Sequence, residues 1–101
     1  MSGRYDAYVE KLSASVTRSP GTLTPDVRAA ILAGDGAGIP PALAAYVDTV
    51  RRHAYRVTDE DVLALKTQGL SEDEIFEATA AAAVGAALLR LEKGMSALRS
   101  A

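Results

Sequence analysis

Apolar residues recur along the chain at steps of three and four, and the pattern predicts an all-helical protein of about five helices. Tyr5, Tyr8, Val9, Leu12 and Val16 fall on one face of a first helix, which the stretch RSPG (Arg18–Gly21) should stop. A short second helix is expected from Pro25 to Gly34. Thr24 suits its N-cap, Pro25 its first turn and Asp26 its dipole, with Val27, Ala30 and Ile31 facing inward. GDGAG (Gly34–Gly38) then reads as a flexible connector. It lacks the Lys-Ser/Thr pair of a phosphate loop, and no strand precedes it.

A third helix, from Pro40 to Tyr55, carries a buried stripe of Leu43, Tyr46, Val47, Val50 and Ala54. Asp48, Arg51 and Arg52 lie on its polar face. A fourth begins after Thr58, where Asp61 nearly completes a capping box and Asp59, Glu60 and Asp61 fill the first turn. Val62 and Leu65 should point inward and Gly69 should end it. The longest helix is expected over 72–98. Ser71 and Glu74 form a full capping box; Glu72, Asp73, Glu74 and Glu77 crowd its start, and Arg90, Lys93 and Arg99 lie near its end. Two apolar stripes run along it. Val84, Leu88, Leu91, Met95 and Leu98 keep a 4-3-4-3 step, a coiled-coil-like seam, and Ala78, Ala82, Gly85, Ala86 and Leu89 make a small-sided stripe that admits another backbone closely. Apolar surface on two sides exceeds what a small monomeric bundle needs. One side is therefore expected to meet another subunit in a homo-oligomer.

Composition narrows this further. The 101 residues suffice for one domain, read as N-terminal helices and a Gly-rich linker over 1–38 followed by a helical unit over 39–95. Hydrophobic residues make up 49%, but aromatics only 5%, and there is no Trp. Alanine dominates and removes little surface from water, so its helices must pack closely or share a core. The net charge of -2 is uneven: residues 1–56 carry seven Lys/Arg and five Asp/Glu, residues 57–101 four and eight. Neither half is the basic stripe of a nucleic-acid binder. The run ATAAAAVGAALL is too short and small-sided to span a bilayer, and MSGRYDAYVEKL has no apolar core of a secretion signal, so a cytoplasmic protein without a membrane partner is expected. With no Cys there is no disulfide, no thiolate metal site and no thiol redox chemistry.

Candidate chemistry concentrates in RRHAYRVTDEDVLALKTQGLSEDE, residues 51–74, which holds the only His. His53 offers a base or acid, Tyr55 a proton donor, and Arg52 or Arg56 an anchor for a carboxylate, with Tyr46 on roughly the same face as Tyr55. Each also has a plain structural reading. A lone His beside arginines is commonly a surface residue, Tyr55 and Tyr46 can simply pack, and the arginines followed by Asp59, Glu60 and Asp61 fit a solvated charge network. Those three acids point in three directions around a helix, so no metal site is expected.

PPALAAYV (Pro40–Val47) and KTQGLSEDEIFEATAAAAVGAALLRL (Lys66–Leu91) resemble the carboxymuconolactone decarboxylase and AhpD-like alkylhydroperoxidase superfamily: a Pro-x-Leu segment, then a Gly-Leu-Ser-x-x-Glu-Ile turn and a long Ala-rich helix. The resemblance covers about Ile39 to Met95. It implies an AhpD-like helical bundle with the Ala-rich helix at an oligomer interface. The peroxidase branch carries Cys-x-x-Cys-x-x-x-His, and the family spacing places its cysteines at Ala54 and Val57 and its His at Asp61. Without a thiol, peroxidase chemistry is excluded. The decarboxylase branch implies instead a cofactor-free acid–base enzyme or binder of a lactone or carboxylic acid, with His53 and Tyr55 catalytic and Arg52, Arg56 and Tyr46 binding substrate. The alternative is a non-catalytic member that oligomerises or binds a partner.

Overall fold

The computed structural model describes residues 4–18 and 21–100, and these are all-helical with no strand. The elements are α1 (Arg4–Arg18), α2 (Pro25–Ala33), a 3-10 turn (Gly36–Gly38), α3 (Pro41–His53), a second 3-10 turn (Ala54–Arg56), α4 (Asp59–Thr67) and α5 (Glu72–Ser100). Local chemistry sets these boundaries. The Thr24 hydroxyl accepts from Val27 N–H at the start of α2. At its end Gly34 takes φ 74°, and Asp35 N–H reaches back to Ala30 O, a Schellman closure. The Thr58/Asp61 and Ser71/Glu74 boxes both close reciprocally, and Gly69 takes φ 99° behind α4.

Two short segments differ from expectation. GDGAG is not a free connector: Asp35 caps Ala37 N–H and starts the 3-10 turn. The third helix ends at His53, so Ala54 leaves the buried stripe and is exposed in the turn that follows. The core gathers Ile31, Leu43, Val47 and Val50 from α2 and α3 with Leu65, Ile75, Ala78, Ala81 and Ala82 from α4 and α5. On α1 the inward face is not the Tyr8/Leu12 side. Those two are exposed, Val9 and Val16 are half-buried, and Thr17 is buried; the Tyr5 side chain lies outside the described residues.

The centre of the bundle is a close approach of α2 to α5. A Cβ at Gly85 would overlap Leu32 O, and it would lie 2.6 Å from Arg51 Nη1. That same nitrogen donates to Ile31 O and Leu32 O, both at 3.1 Å, so an arginine of α3 satisfies the last carbonyls of α2. Ala78, Ala82, Gly85 and Ala86 of the small-sided stripe are thereby buried inside the chain, against α2 and α3, while its fifth member, Leu89, is exposed.

A second tie holds the segment before α2. Thr22 N–H and Leu23 N–H each donate to the Glu77 carboxylate at 2.8 Å. Partial burial alone would raise the Glu77 pKa, but these two hydrogen bonds and the charge of Arg28 outweigh it and hold the carboxyl below its ordinary value. Arg28 is 4% exposed and donates Nη1 to Val16 O at 3.2 Å. Its Nε has no partner among the described residues.

Gly85→Ala should destabilise by about 1–3 kcal/mol despite alanine's higher helix propensity, because α2 must retreat. Thermal unfolding reads this as a fall in Tm of at least about 4 °C; an unchanged or raised Tm contradicts the close approach. Because Glu77 is depressed on folding, its contribution is complete above pH 4.5 and is lost as pH falls through its lower folded value. Glu77→Gln should therefore cost about 1–2 kcal/mol at neutral pH and flatten the loss of stability on acidification, measured by urea unfolding across pH.

Candidate functional site

The corner between α3 and α4 carries the residues singled out by sequence. It forms because α3 stops at His53, whose backbone leaves the helical region (φ -144°, ψ 58°) and lets the chain turn through Ala54–Arg56. His53 and Tyr55 meet edge to face with ring centroids 5.8 Å apart, and the Arg56 guanidinium lies 5.7 Å from the centre of the Tyr55 ring. All three are exposed, Tyr55 at 79%. Arg52 sits one turn back and pairs with Asp48 at 2.9 Å, itself exposed. Tyr46 lies apart from this group. It is buried, and its hydroxyl shares a 2.7 Å hydrogen bond with Thr79 of α5, whose own hydroxyl donates to Ile75 O.

The acids that follow serve helix starts. Asp61 accepts from Thr58 N–H, and Glu72 pairs with Lys66 across the turn from α4 to α5. The hydrogen bond from Lys66, and then its charge, lower the Glu72 pKa. No ion pair links Arg51, Arg52 or Arg56 to Asp59, Glu60 or Asp61 among the described residues, and no group of three acids or histidines there could hold a metal.

Two clefts lie elsewhere. One, of about 610 Å³, runs between α1 and the C-terminal half of α5, where Val9 faces Leu88 and Met95. The other, of about 520 Å³, opens between the Gly34–Gly36 turn, α3 and α5. Buried Ile39, Val47 and Ala86 line its interior, and Arg51, Arg52, Arg90 and Lys93 surround it. Of the residues named from sequence, Arg52 lines this second cleft; His53, Tyr55, Arg56 and Tyr46 line neither.

Comparison with family models, curated proteins and solved structures finds no match to the chain.

The sequence seam grouped Leu91 and Leu98 with Val84, Leu88 and Met95; in the structure they belong instead to the outer face of α5. Phe76, Ala80, Ala83, Ala87, Leu91, Gly94 and Leu98 follow at steps of three and four and share one side of the helix. Ala80 is half-buried; the other six are exposed, Phe76 at 72%, Leu91 at 44% and Leu98 at 68%. None is charged. The signal was present in the spacing, but the alanines between the larger residues gave it little hydrophobic weight. Part of the expected seam turns the other way, with Val84, Leu88 and Met95 half-buried.

Tyr46→Phe should cost about 1 kcal/mol through the lost bond to Thr79, whereas His53→Ala and Tyr55→Ala should change stability by less than about 0.5 kcal/mol. Urea unfolding of the three variants checks the contrast, and an equal effect at all three positions contradicts it.

Proposed function

We propose that this chain is a non-catalytic association module, pairing antiparallel with a second copy through the outer face of α5. One observation carries the reading: seven successive positions on that face, from Phe76 to Leu98, are uncharged and apolar or small, and six of them are exposed. A helix that is apolar on both inner and outer faces needs a covering on both. The inner face has α2 and α3; nothing among the described residues does the same for Leu91 and Leu98. No described helix is long and apolar enough to cross a membrane.

A second copy supplies a complementary face. With Ala87 on the twofold axis, Phe76 comes opposite Leu98 of the other copy, Ala80 opposite Gly94 and Ala83 opposite Leu91. Phe76 and Leu98 thus meet at the ends, Leu91 packs over the small Ala83, and Ala80, Ala87 and Gly94 let the backbones approach. Charge selects the direction. The first turn of α5 is acidic (Glu72, Asp73, Glu74) and its last turn carries Arg99, so an antiparallel pair sets opposite charges and opposite dipole ends together.

A second reading rests on the preassembled His53, Tyr55 and Arg56 cluster. On a carboxymuconolactone decarboxylase-like scaffold these residues would serve acid–base chemistry on a lactone or carboxylic acid. The cluster is exposed on the single chain, so that chemistry requires a second copy to enclose it.

The absence of native cysteine gives a clean test. Under mild oxidation Ala87→Cys should form a covalent dimer in high yield, because only the residue on the axis meets itself. Phe76→Cys alone should not, but mixed with Leu98→Cys it should give the heterodimer. Leu91→Glu in the Ala87→Cys background should abolish cross-linking while circular dichroism stays helical. Equal cross-linking at positions 76, 87 and 98, or none at 87, overturns the reading.

A further inference from the structure

We propose that the cleft between α3 and α5 binds an organic anion with an apolar body, its charged group held by Arg51, Arg52, Arg90 and Lys93. The chain as a whole is acidic, with a net charge of -2, yet these four cations line one cleft of about 520 Å³. Asp48 is the one carboxylate among the lining residues.

Two of the cations, Arg51 and Arg90, are tethered without being neutralised. Arg51 Nη1 is held by Ile31 O and Leu32 O, and Arg90 Nη2 by Arg51 O at 3.2 Å. Carbonyls fix a guanidinium in place but leave its full charge. Arg52 spends Nε on Asp48, which leaves the two terminal nitrogens of its fork as donors. Positively charged forks already held in position lose less entropy on taking up an anion than free side chains do. The order of parts follows from the helices: Arg51 and Arg52 lie in the last turn of α3, and Arg90 and Lys93 sit on α5 just beyond Ala86, the last buried residue of that helix.

The interior sets the rest of the ligand's chemistry. Ile39, Val47 and Ala86 are buried beneath the opening and Ala44 and Leu89 extend it, so an apolar body is covered while the charged group stays at the cationic rim. The volume falls in the range of small-molecule sites. This cleft opens on a different side of α5 from Leu91. Lys93 projects about 160° away from Leu91 around α5, and Arg90 stands at the edge between the cleft and the association face.

Octanoate is the probe, added to the 15N-labelled chain with amide shifts read by NMR. Shifts should saturate at Gly34, Gly36, Arg51, Arg52, Arg90 and Lys93 and leave Phe76, Ala83 and Leu98 unmoved. The double variant Arg52→Gln/Lys93→Gln, both at exposed positions, should bind about tenfold more weakly, as should the native chain in about 0.5 M salt. Octan-1-ol and inorganic phosphate, each carrying half of the recognition, should bind at least about tenfold more weakly than octanoate. An absence of saturation, shifts on the outer face of α5, affinity unchanged in the double variant, or equal binding of either half-ligand overturns the proposal.

Discussion

The contact of Leu32 O with Gly85 governs the bundle. Helix packing normally separates axes by the width of two side chains, and here one side has none. The α2 carbonyls come up against α5 while still needing hydrogen bonds, and the Arg51 guanidinium reaches across from α3 to satisfy two of them. Three helices are thus joined by one glycine and one arginine. The low aromatic content becomes intelligible in this light. With Ala78, Ala81 and Ala82 completely buried, close approach of backbones does the work that large side chains do in wider cores.

That packing also divides α5 into unequal halves. Its buried residues run from Ile75 to Ala86, yet the helix continues to Ser100. At about 1.5 Å per residue its 29 residues extend roughly 43 Å, close to the 48 Å length of the whole molecule. The radius of gyration, 14.6 Å, exceeds the roughly 13 Å of a spherical domain of this size for the same reason. The projecting half supplies one wall of both clefts. Its two free sides differ in chemistry: a cationic edge of Arg90 and Lys93, and an uncharged outer face ending in Leu91 and Leu98.

Much of this was legible in the sequence, because caps and glycines act locally. Thr24, Thr58, Ser71 and Gly69 mark helix ends through bonds to residues three or four positions away, and no tertiary knowledge is needed to read them. The direction in which α1 faces was partly legible: Val9 and Val16 of the expected stripe turn inward, whereas Tyr8 and Leu12 do not. The contact face is rotated from that stripe towards Thr17, and how far depends on where α2 and α5 stand. Arg28 was invisible for a related reason: burial of a charged side chain follows from the Val16 carbonyl and Glu77 around it, residues 12 and 49 positions away. The candidate site was half legible. Composition and spacing drew attention to the α3–α4 corner, and the structure does assemble His53, Tyr55 and Arg56 there. The grouping of Arg51 and Arg52 with Arg90 and Lys93 joins residues about forty positions apart and required the fold.

Sedimentation equilibrium of the unmodified chain over a wide concentration range tests the central claim most directly. Coverage of the outer face of α5 by a second copy predicts a reversible equilibrium whose limiting mass is twice the 10.5 kDa of the chain. A mass that stays at 10.5 kDa up to millimolar concentration would contradict it, since so long an uncharged face would then stand uncovered in solution.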